Sequence, residues 1–261
     1  MSFIRLDKFI SERTEYSRSE IKRLVAKKCV TVNGETVKSA DVKTDTETAV
    51  VRINGREICK EKYRYILLNK PAGYVCSTSE HDGENIMRLI PSELRNKNMF
   101  PAGRLDKDSL GAVIITDDGG LAHRITSPKK HISKIYIVKL DRPFQTKYIN
   151  LFKGNLQLAD GQVCLPADVR GCELSEKLAF VRLREGKYHQ VKRMFSAVGN
   201  HVEVLMRISL GGLILPEKLG FGQCMELLHK DVENLFKEPD FDDFCRDYGG
   251  DFSAFLINNQ P

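Results

Sequence analysis

Two aspartates, Asp106 and Asp108, lie in the segment G-R-L-D-K-D-S-L-G at residues 103–111. The apolar stretch 112–116 follows directly and is predicted to be a buried strand, so both carboxylates lie on a loop that enters the core. Residues two apart on an extended chain share a face, which permits a magnesium site. The alternative is a turn whose aspartates cap backbone N–H groups, and the spacing alone favours the turn.

A cation and a phenol share a face of a second predicted strand, K-I-Y-I-V at residues 134–138. Alternation places Ile135 and Ile137 on one face and Lys134 with Tyr136 on the other. In isolation this pattern is typical of an edge-strand surface.

The segment E-G-K-Y-H-Q-V-K-R-M-F at residues 185–195 supplies further candidates. Apolar residues at i, i+3, i+4 and i+7 from Val191 predict a helix that ends near Gly199. Lys192 and Arg193 project away from this stripe, where they can meet RNA, an internal carboxylate or only solvent. Tyr188 and His189 show no metal-ligand spacing.

The N-terminal elements that accompany these candidates are predicted to be two helices and two hairpins. Leu6, Phe9 and Ile10 share one helical face, and S-R-S-E at 17–20 is a capping box for a second helix. Asn-Gly pairs at 33–34 and 54–55, each between short β-prone runs, predict tight hairpins.

Cations are concentrated on the polar faces of these two helices. A charge run is most often a solvated face, but these side chains could also follow a phosphate backbone. They are Arg5, Lys8, Arg13, Arg18, Lys22, Arg23, Lys27 and Lys28. The order R-L-D-K-F-I, S-R-S-E-I-K-R-L-V and V-T-V-N-G-E over about residues 3–58 resembles the S4 RNA-binding module.

A polar linker at 59–64 separates this module from a second predicted domain. Strands are expected at 65–68, 112–116, 134–140, 179–183 and 202–208, and helices at 119–125 and 189–198. This order indicates an α+β fold with a mixed, largely antiparallel sheet. We expect an RNA-binding domain at 1–60, a catalytic domain at 64–236 and an acidic tail at 237–261 that is partly disordered.

Composition narrows the class of protein. The net charge of the 261-residue chain is +6, and residues 237–261 carry −4 (Lys237 and Arg246 against Glu238 and five aspartates), so the first 236 residues carry +10. A basic body suits a polyanionic partner. Seven scattered cysteines without a C-x-x-C pair favour neither zinc nor disulfides. The charged N-terminus and the lack of an apolar run near about 18 residues favour the cytoplasm over a membrane.

The three candidate segments occur together in an order that resembles the pseudouridine synthases that modify ribosomal RNA. The matching motifs are A-G-R-L-D-K-D-S-L-G, H-I-S-K-I-Y-I-V, E-G-K-Y-H-Q-V-K-R-M and G-N-H-V-x-x-L-x-R. Ser109 stands where threonine is commoner, and the hydroxyl is retained. Tyr74 to Thr78 and His123 to Pro128 are closer to members that act on the small subunit, so a single uridine of small-subunit RNA is the predicted target.

The resemblance implies that Asp106 is the nucleophile and that Lys192 or Arg193 pairs with it to keep it ionised. Tyr136 is expected under the uracil ring, and Arg104, Lys134 and Leu205 are expected to contact the substrate. The isomerisation needs no redox partner or energy donor, so neither a cofactor nor a metal is expected. The expected partner is ribosomal RNA or an assembling small-subunit particle, bound by a monomer.

Two alternatives from other classes remain open at this stage. A metal-dependent nuclease or phosphotransferase would use Asp106, Asp108, Asp117 and Asp118, although neighbouring lysines and arginines oppose a dication. A non-catalytic ribosome-assembly factor would bind RNA through both domains, but every active-site motif position is filled. A large-subunit target is the alternative within the family.

Overall fold

The computed structural model describes residues 3–59, 61–127 and 132–258. Its contacts divide the chain into two compact units. The first contains the described residues up to Tyr65 together with Ile90–Phe100 and Thr116–Asp118, and the second contains the rest. Pro128, which closes one of the motifs that suggested a small-subunit target, lies outside the described residues.

The first unit opens with helices and continues with short strands. Its elements are β1 (Phe3–Arg5), α1 (Leu6–Arg13), α2 (Arg18–Ala26), β2 (Val30–Val32), β3 (Glu35–Thr36), β4 (Lys43–Asp45), β5 (Val51–Ile53) and β6 (Arg56–Glu57). β1 pairs antiparallel with β4, and a second sheet has the order β3-β2-β5-β6.

The local signals of the first unit are confirmed. Ser17 and Glu20 make the reciprocal bonds of a capping box at α2. Asn33 and Gly34 have φ of 52° and 87°, and Asn54 and Gly55 have φ of 50° and 81°, as a tight hairpin turn requires. Leu6, Phe9 and Ile10 of α1 are fully buried in the core of this unit.

The second unit alternates strands with short helices, and three of its strands have one terminal residue, Tyr65, Phe100 or Thr116, that is grouped with the first unit. Its elements are β7 (Tyr65–Lys70), β8 (Phe100–Pro101), β9 (Leu110–Thr116), α3 (Gly119–Thr126), β10 (Lys134–Leu140), α4 (Lys147–Lys153), β11 (Asp168–Cys172), β12 (Ser175–Leu183), α5 (Gln190–Ala197), β13 (Val202–Leu210), β14 (Leu213–Ile214), β15 (Cys224–Glu226), α6 (His229–Asn234) and α7 (Phe241–Asn258).

These strands form one mixed sheet in the order β11-β12-β10-β13-β9-β7-β15, with β14 on β13 and β8 on β9. β10 pairs antiparallel with both β12 and β13, whereas β13 and β9 are parallel. The α+β class and the largely antiparallel sheet are confirmed. β10, β13 and β9 are consecutive in this sheet; β10 carries Tyr136, β13 carries Leu205, and the candidate loop leads into β9.

The acidic tail was expected to be partly disordered, but Phe241–Asn258 is a helix in the second unit. Phe241, Phe244 and Phe252 are buried, and α7 packs on β11 and β12. Asp242 pairs with Arg170 at 3.0 Å. The apolar residues of the tail are therefore sufficient to hold it as an ordered helix. The prediction of disorder considered its net charge and not these residues.

No helix in the described part of the chain combines the length and apolar character that a membrane span needs. The seven cysteines all lie within the described residues, and none of them forms a disulfide.

Candidate active site

A buried lysine stabilises the loop that carries Asp106 through hydrogen bonds to backbone carbonyl groups. Lys70, at the end of β7, is fully buried, and its Nζ donates to the carbonyl oxygens of Pro71 at 3.0 Å, Lys107 at 3.1 Å and Ser109 at 2.7 Å. Two of these acceptors flank Asp108 on the loop. Burial lowers the pKa of Lys70 to about 8, against the opposing effect of nearby acidic groups.

The end of the same loop meets β13 without space for a side chain. Gly111 has φ of +100°, and a Cβ at this position would lie 2.1 Å from the carbonyl oxygen of Arg207. Arg207 is itself buried, and its Nε donates to Ala112 at 2.8 Å. Glycine is therefore required where β9 begins beside β13.

The candidate residues of three strands and loops line one cavity of about 330 Å³. Its lining includes Arg104, Asp106, Lys134, Tyr136 and Leu205. This volume falls in the range of small-molecule pockets. Lys134 and Tyr136 thus share a face, as their alternation predicts, but this face lines a cavity and is not an edge-strand surface.

Lys134 is a partly buried cation whose Nζ donates to the carbonyl oxygen of Ile132 at 2.9 Å. Burial, together with the neighbouring charge of Arg207, lowers the pKa of Lys134 to about 8. The cavity therefore contains an amine that can change protonation near neutral pH.

The two cations expected beside Asp106 contact other carboxylates in this structure. Lys192 Nζ donates to both carboxylate oxygens of Asp108, at 2.7 and 2.6 Å, and Arg193 pairs with Asp160. Burial opposes the ionisation of Asp108, but the bonds from Lys192 outweigh it and hold the pKa of Asp108 below its usual value. Sequence spacing could not resolve this because α5 meets a loop that carries two aspartates.

His189 is the residue whose side chain approaches the Asp106 carboxylate in the described part of the chain. Its Nε2 lies 3.4 Å from Oδ1 of Asp106, and both side chains are partly exposed. His189 precedes α5 with φ of 48° and ψ of 35°, a left-handed conformation that is uncommon for a residue other than glycine. From the sequence, His189 was judged only as a metal ligand, which its spacing did not support, so its position beside Asp106 was not predicted.

Comparison with known proteins supplies the deciding observation. The family model described as RNA pseudouridylate synthase matches residues 64–197, which is more than half of the chain, and the S4 domain model matches residues 4–47. The chain belongs to the RNA pseudouridylate synthase family.

Relatives of this synthase match along almost their whole length. The ribosomal small subunit pseudouridine synthase A of Vibrio vulnificus is 39% identical, with 90% of this chain and 100% of the relative covered. The protein of the same name from Escherichia coli is 37% identical, with 89% and 100% covered. A crystal structure of a pseudouridylate synthase matches with 36% identity and a TM-score of 0.62, over 89% of this chain and 99% of the other.

The aspartates of the nuclease alternative have other partners in this synthase. Asp117 accepts from the backbone of Arg64 at 2.8 Å and from Asn96 at 2.8 Å, and Asp118 accepts from the Tyr65 hydroxyl at 3.0 Å. In the described ranges, no group of three or more His, Cys, Asp or Glu side chains has a geometry that could hold a metal ion.

Two polar groups of the cavity had no role assigned from the sequence. Arg207 Nη2 and Ser109 Oγ are buried and have no hydrogen-bond partner within the described part of the chain. Both residues line the cavity. Arg207 ends the motif L-x-R, so its presence was visible, but its burial beside the loop required the fold.

Most of the cations expected to contact RNA are exposed on the first unit. They are Arg5, Lys8, Arg18, Lys22, Arg23, Lys27 and Lys28. Arg5 also bonds Asp7 at 2.9 Å, which raises the pKa of Arg5. Arg13 is an exception to the predicted polar face, since it is buried over the ring of Phe9 at 4.0 Å.

Proposed function

We propose that this synthase converts one uridine of small-subunit ribosomal RNA into pseudouridine, with Asp106 as the nucleophile. The observation that carries the proposal is the match to two full-length relatives named ribosomal small subunit pseudouridine synthase A. The cavity supports it because Asp106 lines it together with the cations Arg104 and Lys134 and the aromatic residue Tyr136.

The reaction breaks the bond from C1′ of the ribose to N1 of uracil and forms a bond from C1′ to C5. C5 loses its proton at the end and N1, freed from the ribose, gains one, so the product is an isomer of the substrate and no oxidant is consumed. Asp106 provides the carboxylate that attacks the flipped-out nucleotide. Its side chain is 25% exposed, so a nucleotide that enters the cavity can reach it.

The remaining cavity residues have separate roles in this proposal. The ring of Tyr136 stacks on uracil, and its phenol assists removal of the C5 proton. Leu205 packs against the base, and Lys134 supplies a donor in the cavity wall. Arg104, which is exposed at the loop, contacts the flanking phosphate or the opened base pair while the nucleotide is extruded.

Of the two cations considered for Asp106, we favour Lys192. Lys192 forms an ion pair with Asp108, which lies two residues from Asp106 on the same loop. This ion pair places positive charge near the nucleophile. Arg193 instead donates to the carbonyl oxygen of Tyr188 at 3.2 Å and pairs with Asp160, which suits a positioning role.

The proposal extends to the organisation of the chain. Residues 1–60 bind RNA as an S4 module, residues 64–236 carry the reaction, and the tail from 237 stabilises the second domain. Extrusion of a nucleotide costs a few kcal/mol, and phosphate contacts made by both domains supply it. We propose further that the enzyme acts in the cytoplasm as a monomer, a state that light scattering after size-exclusion chromatography measures directly.

The substrate is tested with purified small- and large-subunit RNA, each naked and as partly assembled particles, followed by mapping of pseudouridines. We expect one new site, confined to small-subunit RNA, with equal yield in the presence of a chelator. A site found only in large-subunit RNA would overturn the substrate while leaving the reaction class intact. Loss of activity in chelator would favour a metal-dependent enzyme.

A further inference from the structure

Tyr188 is an aromatic residue with no burial to explain it. Its side chain is 76% exposed, the highest value among the exposed large hydrophobic residues of the described chain. The ring stacks on the imidazole of His189, with centroids 3.8 Å apart and planes at 18°. One face of Tyr188 is therefore covered by His189, and the exposure of the residue leaves the other face open to solvent.

The backbone holds this stacked pair in place. His189 adopts the left-handed conformation immediately before α5, and its carbonyl oxygen accepts from the backbone N–H of Arg193 at 3.0 Å. The Arg193 guanidinium also donates to the carbonyl oxygen of Tyr188 at 3.2 Å. An uncommon backbone conformation that neighbours fix in this way is characteristic of functional sites.

The stacked pair of Tyr188 and His189 extends from outside the cavity to Asp106, the proposed nucleophile. His189 lines the cavity and lies 3.4 Å from Asp106, whereas Tyr188 stacks on the side of His189 and is outside the cavity lining. A base bound on Tyr188 would therefore lie next to the nucleotide that occupies the cavity. The rim also carries the exposed Arg104, which can hold the connecting phosphate.

We propose that the open face of Tyr188 stacks on the base next to the flipped uridine, with His189 as the support that orients the tyrosine ring. This inference rests on the proposed function. When a nucleotide leaves the stack, its neighbours lose a stacking partner, and an aromatic face at the rim replaces it. Stacking accepts any base, so Tyr188 favours an unstacked neighbour and not a particular sequence.

The test is a cycle that combines protein and RNA changes. Small-subunit RNA is built by ligation with an abasic nucleotide immediately 5′ or 3′ of the mapped uridine, and kcat and KM are measured with wild type and Tyr188→Ala. On intact RNA we expect Tyr188→Ala to raise KM on the order of tenfold and Tyr188→Phe to stay near wild type. Leu174→Ala, which changes an exposed residue outside the cavity lining, is the control and should leave KM unchanged.

Coupling between the two changes identifies the contact. With an abasic nucleotide on the stacked side, wild type should lose about the same factor, and Tyr188→Ala should lose nothing more. His189→Asn, which accepts the left-handed backbone but removes the imidazole, should weaken this coupling. Tyr188→Leu is a second variant without a ring, should Tyr188→Ala fold poorly.

Three results would overturn the inference. They are an unchanged KM in both Tyr188→Ala and Tyr188→Leu, additive losses at both neighbouring positions, and a Tyr188→Phe variant as impaired as Tyr188→Ala. In each case the wild type still makes pseudouridine in small-subunit RNA, so the proposed function stands. If wild type makes none, the function and the inference both fall.

Discussion

Lys134 is a partly buried amine in the cavity wall, and its lowered pKa of about 8 makes the stability of the fold depend on pH. Between pH 8 and 10 the folded protein holds fewer protons on Lys134 than the unfolded chain, so the free energy of unfolding must rise with pH across this window. We predict that wild type gains about 2 kcal/mol relative to Lys134→Met between pH 8 and 9.5. Urea unfolding at both pH values measures the difference.

Lys177→Met, at an exposed lysine of β12, is the matched control and should show no such pH-dependent difference from wild type. A Lys134→Met variant that follows wild type in parallel from pH 8 to 9.5 would mean that Lys134 keeps an ordinary pKa in the fold.

Lys192 bonds Asp108, and this contact separates two ways in which Lys192 can serve the reaction. If Lys192 acts by holding the loop through Asp108, then Lys192→Met and Asp108→Asn should lower kcat by similar factors, on the order of tenfold, with little change in RNA affinity. Single-turnover kinetics and RNA titrations measure both quantities. A large loss in Lys192→Met beside a near-normal Asp108→Asn would indicate that Lys192 contacts Asp106 directly in the RNA complex.

The residues of the site were predictable from the sequence to the extent that motif order carries them. Asp106, Tyr136 and Leu205 line one cavity as that order predicts, although their chemical roles stay predictions. The partner of Asp106 was not predictable, because charge pairing depends on distances of a few ångströms between α5 and a loop far away in sequence. His189 was missed since its left-handed backbone leaves no periodic signal.

At the scale of elements, the start of β9 depends on one glycine. A Cβ on Gly111 would lie 2.1 Å from the carbonyl oxygen of Arg207, and φ is +100°. We predict that Gly111→Ala lowers the free energy of unfolding by about 3 kcal/mol and reduces activity, because β9 and β13 must separate and the loop that carries Asp106 shifts. Chemical denaturation and turnover measure the two effects.

Gly119→Ala provides the matched control, since its Cβ would meet nothing within 4 Å and its φ is not positive. It should leave both quantities near wild type. A Gly111→Ala protein with wild-type stability would show that β9 and β13 can separate at this point without cost.

Element boundaries were predictable wherever local chemistry sets them. The capping box at α2 and the two Asn-Gly hairpins agree with their sequence signals, and all five predicted strands of the sheet are present. The other strands of the sheet, β8, β11, β14 and β15, were not predicted. The tail was not predictable, because net charge suggested disorder whereas α7 is ordered by phenylalanines that pack on a distant part of the chain. Packing between residues far apart in sequence cannot be recognised from a short stretch of sequence.

At the scale of the whole molecule, the basic body is expected to bind RNA through phosphate contacts. Lys22 is exposed on α2 of the first unit, and Lys27 is exposed at the C-terminal cap of the same helix. We predict that the double substitution Lys22→Ala with Lys27→Ala weakens RNA binding and reduces the slope of log affinity against log salt by roughly 1.5. The slope falls because each phosphate contact releases counterions from the RNA, and this release is lost together with the contact. Substitution is preferable to deletion, since the first unit also contains Ile90–Phe100.

Lys147→Ala with Lys153→Ala, two exposed lysines of α4, removes the same charge and is the control for non-specific effects. Equal changes of the salt slope in the two double variants would mean that α2 contributes only net charge and makes no particular contact with RNA.

The most direct test of Asp106 as the nucleophile of a small-subunit synthase is to map pseudouridines in the ribosomal RNA of cells that lack this protein. The same cells are then supplied with either wild type or Asp106→Asn. We predict that one small-subunit pseudouridine disappears, returns with wild type and stays absent with Asp106→Asn, although the variant folds and binds RNA normally because a loop carboxylate contributes little to packing. Restoration of that pseudouridine by Asp106→Asn, or an unchanged map in cells without the protein, would contradict it.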